Sequence, residues 1–382
     1  MGPPSQHLSR EEIRMPDITK IVVTGGVCGG KTTALASIRT SFTRLGYKVI
    51  TVPEPATEFK TNGILPWECA TGEEYQWCQM KVQITTEHAF ERAARGMGDE
   101  KILIVCDRGM LDNKYYMTAD EFQRVIADLG YTEAQLRDSY DAVFHLVTAA
   151  KGAVEYYTND NNAARHETVE EAAAMDDGFI EAWAAHHHLR IIDNSTDFEG
   201  KMDRLIREIS YVLGEEAPRQ TKRSFIVAYP DLVALEAMPG CERVEISQTY
   251  LSSDPDTEVR VRKIGSEGWN TFYLTEKRIE GARKRLVRRQ RLTLREYENI
   301  LGQADPARRE LTRTRYCLPF QGQCFELDIY PQWDDRAILH IELVSADVEV
   351  NFPPEVEIIR EVTDDPAYRS AALASAPADA ML

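Results

Sequence analysis

Short apolar runs alternate with longer stretches of helical periodicity through the first half of the chain. Lys20 to Thr24, Lys48 to Val52, Ile102 to Cys106, Ala142 to Val147 and Leu189 to Ile192 carry nearly continuous apolar character, as strands buried on both faces do. The segments between them are long enough for helices. This alternation predicts an α/β domain over residues 18–213, a parallel sheet with helices on both faces. Gly214-Glu-Glu-Ala-Pro-Arg-Gln-Thr-Lys222 breaks the pattern with glycine, proline and charge, and reads as a linker over 214–222.

From Arg223 the period changes to two. Val244 and Ile246 alternate with Glu245, Ser247 and Thr249; Val259 and Val261 with Arg260 and Arg262; Thr312, Thr314 and Tyr316 with Arg313 and Arg315; Phe325, Leu327 and Ile329 with Glu326 and Asp328. Each strand has one charged face, and the charges are sorted, some strands offering only Arg or Lys and others only Glu or Asp. Such sorting predicts an α+β domain over 223–373 whose antiparallel strands enclose a charged interior for a polyanion and its metal.

The chain has 382 residues, enough for two or three domains. Its 45 basic and 62 acidic residues give a net charge of −17, which argues against duplex DNA as a partner. No run approaches the length of a transmembrane segment, and Met1 to Pro16 has no apolar signal core, so a cytoplasmic protein is expected. Seven cysteines without CxxC spacing read as free thiols of a reducing compartment. Residues 1–17 and 374–382 are polar or small and read as disordered. One stretch runs against the overall charge: Lys277 to Arg295 holds nine basic residues and the single acid Glu280. A phosphate-bearing ligand or a peripheral membrane contact is expected there, with Arg288, Arg289 and Arg291 available to it.

Gly25-Gly-Val-Cys-Gly-Gly30-Lys31-Thr32 matches GxxxxGK[ST] and sits between an apolar strand and a helical run, where the backbone N–H groups of such a loop converge on phosphate oxygens. Gly25, Gly26, Val27, Cys28, Gly29, Gly30, Lys31, Thr32 and Thr33 are therefore the expected nucleotide-binding segment, with Thr32 on Mg2+. Glu54 follows the second strand in Val52-Pro-Glu54-Pro55, and Asp107-Arg108 follows the third. Both lie on the sheet edge that binds ligands in α/β proteins. Glu54 is the candidate base for an acceptor hydroxyl, Asp107 a second holder of Mg2+, and Arg108 a partner for the transferring phosphate. Gln79 and Gln83, one helical turn apart, could meet an acceptor base or amide or simply pack. His186, His187 and His188 cannot converge on one ion from consecutive helical positions. No NKxD motif marks guanine specificity, so both ATP and GTP stand.

Through the phosphate loop, Glu54-Pro55 and Asp107-Arg108-Gly109, residues 18–213 resemble the P-loop kinases related to nicotinamide riboside kinases and deoxynucleoside kinases. The resemblance implies a lid arginine, here Arg165, and a nucleotide-base position at Asp193 and Asn194. From Arg223 to Leu373 the chain resembles the CYTH, or triphosphate tunnel, superfamily through Arg260-Val-Arg262, Lys277, Arg313-Thr-Arg315, Glu326-Leu-Asp328, Glu342 and Glu361-Val-Thr-Asp364. That implies an antiparallel tunnel with Arg260, Arg262, Lys277, Arg289, Arg313 and Arg315 on a triphosphate. Mg2+ or Mn2+ would sit on Glu245, Glu326, Asp328, Glu342 and Glu361. The superfamily's first-strand signature ExExK aligns best with Glu245-x-Ser247-x-Thr249 and is degraded there, and Val344 replaces a further acid, so binding is expected more than hydrolysis. The pairing of the two domains is similar to the group typified by the TRPL translocation defect protein of insect photoreceptors.

The expected function is a Mg2+-dependent phosphotransferase using ATP or GTP, fused to a tunnel for a tri- or polyphosphorylated ligand. Two other functions remain open: a nucleotide-dependent regulatory protein engaging a phosphoinositide or protein partner, and a tunnel triphosphatase with a regulatory P-loop.

Overall fold

The computed structural model describes residues 17–98, 101–154, 168–215, 221–266, 269–280, 283–321, 323–343 and 348–375. β1 (Asp17–Thr24) leads through the glycine loop into α1 (Lys31–Arg44). β2 (Lys48–Val52) leads into α2 (Pro55–Thr61) and α3 (Gly72–Arg95), and β3 (Lys101–Asp107) into a 3-10 turn at Met110–Tyr116, α4 (Ala119–Asp128) and α5 (Glu133–Arg137). β4 (Ala142–Leu146), α6 (Val169–Trp183), β5 (Leu189–Ile192) and α7 (Phe198–Val212) complete the first domain. The five strands are parallel in the order β2-β3-β1-β4-β5.

Alternate residues of β1 feed two cores, as the period of a strand requires. Ile21 and Val23 pack with Ile38 and Phe42 of α1 and Leu205 and Ile209 of α7, while Val22 faces Met80, Phe122 and Trp183 on the opposite side. Both faces are covered by helices, which leaves the ends of the sheet, and in open α/β sheets ligands bind at the carboxyl end. There the turns after Thr24, Val52, Asp107, Leu146 and Ile192 gather.

The second domain runs β6 (Thr221–Ala228), α8 (Leu232–Glu236), β7 (Glu242–Leu251), β8 (Thr257–Ser266), β9 (Trp269–Glu280), β10 (Arg283–Leu292), α9 (Leu294–Leu301), β11 (Leu311–Phe320), β12 (Gln323–Ile329), β13 (Arg336–Leu343), β14 (Ile358–Glu361) and α10 (Ser370–Ser375). Its nine strands are antiparallel in the order β10-β9-β8-β7-β11-β12-β13-β6-β14. In a flat sheet β9 and β13, five places apart, would lie about 24 Å from each other. Lys277 of β9 nevertheless acts electrostatically on Glu342 of β13, so the sheet curls around its interior. Its outer side is apolar, with Phe225, Val227, Leu318, Phe325 and Leu327 under Leu235 of α8. β6 opens the domain, and its first residues Thr221 and Lys222 fall within the stretch expected to be linker.

The domains are docked. Ala185 packs with Val244, Ile246, Ile264 and Tyr273, and the His187 ring lies 4.4 Å from that of Tyr273. Thr271 Oγ1 donates to Asp138 at 2.7 Å. His186 and His188 are buried beside this contact, and His186 Nε2 bonds the Tyr140 carbonyl at 3.1 Å, so the triple histidine serves packing.

Candidate functional site

The phosphate loop is shaped by close backbone approach. Gly25 has φ +138°, and a Cβ there would lie 2.1 Å from the Leu146 carbonyl oxygen; Gly30, at φ +90°, caps α1 in the left-handed region. Val27 O accepts from Thr148 Oγ1, and Cys28 O accepts from the Ala149 N–H. Gly29 N bonds back to Gly26 O at 3.3 Å. Lys31 Nζ donates to Gly25 O at 2.8 Å and Gly26 O at 3.0 Å. Burial, then the nearby Arg108 charge, pulls this lysine down to about 7. Thr32 and Thr33 are exposed on the first turn of α1.

Across the edge, Arg108 Nε lies 3.0 Å from Glu54 Oε1 as an ion pair, and Thr57 Oγ1 donates to the other oxygen of Glu54 at 3.2 Å. Arg108 itself has φ +71° and its guanidinium stacks 4.7 Å from the Phe179 ring. Asp107 stands next to them, its carboxyl raised by burial and by the Glu54 charge. With Glu54 taken up by Arg108, the side-chain oxygens at this edge that could hold Mg2+ are those of Asp107 and Thr32.

A pocket of about 240 Å³ opens from this edge, lined by Glu54, Arg108, Gln76, Gln79, Gln83 and Asn113 among others. The glutamines form one polar stripe down α3, all buried. Gln79 Nε2 donates to Asn113 Oδ1 at 2.8 Å, Asn113 Nδ2 to Gln83 Oε1 at 3.4 Å, and Gln83 Nε2 to Glu87 at 3.1 Å. Gln76 Oε1 and the Tyr75 hydroxyl are buried without a hydrogen-bond partner. The spacing of Gln79 and Gln83 was readable in sequence; Gln76, one turn earlier, follows from the same period.

Of the expected base-side residues, Asp193 is ion-paired to Arg204 at 2.5 Å, and Asn194 Nδ2 donates to the carbonyls of Thr148 and Lys151 at 2.8 and 2.7 Å. Asn194 thereby ties the turn after β4, which in turn holds Val27 and Cys28. Arg165 lies outside the described residues, as do Val344 and the side chain of Arg289.

In the second domain the structure brings Arg260, Arg262 and Lys277 together on one wall. Burial, then Arg260 and Arg262, lowers Lys277 to about 7. Opposite them, Arg315 binds Asp328 through two bonds of 2.6 and 2.8 Å and reaches Glu326 at 2.5 Å, and Arg313 meets Asp328 at 2.9 Å. Glu342 is held by Arg190, which comes from β5 of the first domain and also pairs with Glu208 at 3.3 Å. A cavity of about 70 Å³ between the domains is lined by Arg190, Asp193, Glu326 and Glu342.

Two expected metal ligands are not brought into this interior. Glu245 is exposed on the outer side of β7, bound by Arg243 at 2.6 Å and Thr314 at 3.0 Å, because Val244, Ile246 and Gln248 are the inward positions of that strand. Glu361 pairs outside with Arg223 at 2.7 Å. The strand that opens the domain is β6, and its inward positions carry Lys222 and Ser224: Lys222 lies 4.0 Å from Glu326, and Ser224 Oγ lies 2.8 Å from His340 Nδ1. Among the described residues no three carboxylate, imidazole or thiol groups converge as a metal site. With Glu326, Asp328 and Glu342 each bound by a protein cation, the interior does not fit the metal expected there.

These features define a P-loop α/β domain joined to an antiparallel domain with a charged interior. Residues 20–201 match the AAA domain family. The inorganic triphosphatase of Nitrosomonas europaea is 31% identical over 158 residues, which cover 41% of this chain and 96% of that protein. The chain therefore belongs, through its second domain, to the family of that inorganic triphosphatase. Among solved structures, an inorganic triphosphatase crystal structure is 25% identical over 42% of this chain and 98% of its own, with a TM-score of 0.31. Thymidylate kinase from Ehrlichia chaffeensis is 14% identical over 52% of this chain and 100% of its own, with a TM-score of 0.35. No helix among the described residues is long and apolar enough to cross a membrane.

Proposed function

We propose that the first domain is a phosphotransferase that moves the γ-phosphoryl group of ATP or GTP to a hydroxyl of a nucleoside-like acceptor, and that the second domain binds a tri- or polyphosphorylated ligand. The observation that carries the first part is the amide-lined pocket at the carboxyl edge of the sheet, whose wall includes the Glu54–Arg108 ion pair. Its Gln and Asn groups offer paired donors and acceptors of the kind a planar base or amide presents.

In this reading the loop amides and Lys31 bind the β- and γ-phosphates. Thr32 and Asp107 would hold Mg2+, which when bound offsets the charge of those phosphates. Glu54 takes the acceptor proton as the acceptor oxygen forms its bond to the γ-phosphorus; the bond to the β-phosphate oxygen breaks and the nucleoside diphosphate leaves. Arg108, pinned by Glu54 and Phe179, stabilises charge on the transferring group. The second domain's reading is supported by the cluster of Arg260, Arg262 and Lys277 and by the triphosphatase relative. A nucleotide-regulated binding protein is the second reading, and the Arg190–Glu342 contact between the domains favours it.

Incubation with γ-labelled ATP or GTP and a panel of nucleosides and nucleotides tests the choice. Label appearing on an acceptor, and absent with Lys31→Ala, is the outcome for a phosphotransferase. Binding of nucleotide without transfer to any member of the panel selects the regulatory reading.

A further inference from the structure

The charge arrangement inside the second domain differs from what a metal-assisted site needs. A divalent cation on a triphosphate requires carboxylates left open to it. Here Asp328 is bound by Arg313 and Arg315, and Glu326 by Arg315 with Lys222 at 4.0 Å. Glu342 is bound by an arginine that belongs to the other domain. The inward positions of the opening strand are a lysine and a serine. To admit a metal, each of these carboxylates would have to give up the cation that now holds it.

On the facing wall the imbalance runs the other way. Arg260 and Arg262 both act against the charge of Lys277, and Glu258, its neighbour in register, acts for it. Gln248 is fully buried with neither end of its amide hydrogen-bonded, and Thr275 Oγ1 is likewise buried and unbonded. Register places Gln248 beside Arg262 and Thr275 beside Arg260, so these donors share the basic wall. A lysine pressed by neighbouring arginines, and an amide N–H and a hydroxyl buried without acceptors, are what an anion satisfies.

We propose that this interior binds a polyphosphate-type anion without a divalent cation, with Arg190 of the P-loop domain occupying Glu342 in place of the metal. The inference rests on reading the second domain as a polyphosphate site. Arg190 is a positioning residue: it neutralises Glu342, which would otherwise repel the ligand. It sits three residues before Asp193, in the same inter-domain cavity as Glu342.

The test is calorimetric titration of tripolyphosphate into the full chain, once with EDTA and once with Mn2+. Affinity in EDTA within about threefold of that in Mn2+ is expected, with Lys277→Met removing at least about 90% of it. Binding that needs Mn2+, falling about 30-fold or more in EDTA, overturns the inference while leaving the polyphosphate reading standing. No binding under either condition overturns that reading and the inference with it. Binding that survives Lys277→Met lies elsewhere and also overturns both.

Arg190→Gln separates this from a merely structural role. Exposing Glu342 should weaken binding in EDTA about tenfold, one charge pair's worth, and Mn2+ should restore it. Unchanged binding in both conditions overturns the part given to Arg190. Glu342→Gln is the check should Arg190→Gln not fold: binding in EDTA kept or tightened agrees with the inference, and binding abolished contradicts it.

Discussion

Asp176 Oδ1 accepts the Gly26 N–H at 2.9 Å, across 150 residues of sequence, so a carboxylate of α6 fixes the phosphate loop from behind. The same fully buried carboxylate takes the Thr148 N–H at 3.1 Å, His145 Nε2 at 3.0 Å and Lys151 Nζ at 3.2 Å. Burial alone would raise its pKa. His145, then Lys151 and the Gly26 N–H, outweigh burial and hold the carboxyl well below the usual range. A depressed folded value means that its contribution is present above the unfolded value of about 3.9 and lost only as pH falls below it. Asp176→Ala should therefore cost about 3–5 kcal/mol throughout the neutral range, as expected when one partner of a buried charged network is removed. Urea unfolding at pH 7 reads this; a change under about 0.5 kcal/mol would mean that the loop stands without it.

Lys31 and Glu54 should separate binding from chemistry. Lys31 touches the loop carbonyls, and in the proposed reaction it turns to the phosphates, so Lys31→Ala should weaken nucleotide binding about 100-fold or more. Glu54 is paired to Arg108, and in the proposed reaction it acts on the acceptor side. Glu54→Gln should leave the nucleotide Kd within about threefold and lower kcat by roughly 10²–10⁴, the range of a general base. Equal loss of nucleotide binding in both variants would assign Glu54 to the phosphates instead.

What the sequence made legible was whatever is local in it. The spacing from Gly25 to Thr32 encodes its own turn, and the placing of Glu54, Asp107 and Arg108 at one sheet edge is legible because apolar strands end just before them. Asp176 was missed because nothing near it in sequence points to Gly26, and Arg190 because its partner Glu342 lies in another domain. Glu245 was misread for a different reason. Period-two alternation says that a strand has two faces but not which one is inside. Thr221 and Lys222 lie in the stretch that glycine, proline and charge mark as linker, so the opening strand is cut short in the sequence pattern. Once β6 is paired to β13, with Ser224 opposite His340 and Lys222 opposite Glu342, the inward set is fixed by register.

Asp138 should control the docking of the two domains. Its carboxylate binds Arg137 through bonds of 2.7 and 3.0 Å and Thr271 Oγ1 at 2.7 Å, and its carbonyl takes Arg291. Burial acts against the charge, but the Arg137 hydrogen bonds, then Thr271, keep the carboxyl low. Asp138→Ala leaves Arg137 buried and unpaired, a loss of about 3 kcal/mol, concentrated at the interface. Calorimetry should then resolve two unfolding transitions in the variant where the native chain has one. A single transition merely shifted down would place the loss in the first domain alone.

Lys277 should give the polyphosphate site a pH dependence of definite sign. In the ligand-free protein it sits at about 7, lowered by burial and by Arg260, Arg262 and Lys222 against the opposing pull of Glu258. A bound anion raises it by adding negative charge. Below pH 7 the lysine is already protonated and affinity for tripolyphosphate is full; above 7 each binding event must take up a proton. Affinity should fall by up to about tenfold per pH unit from there, until the raised value of the complex is reached. Stability without ligand moves in the opposite direction. The folded value lies below the ordinary 10.5, so the cost of burying the charged lysine is present in full below pH 7 and is relieved as pH rises toward 10.5. The rise in Tm given by tripolyphosphate should accordingly be larger at pH 6.5 than at pH 9, with net proton uptake at pH 8 visible as a buffer-dependent binding enthalpy. Lys277→Met should remove that proton uptake, and proton uptake that persists in the variant would place the titrating group elsewhere.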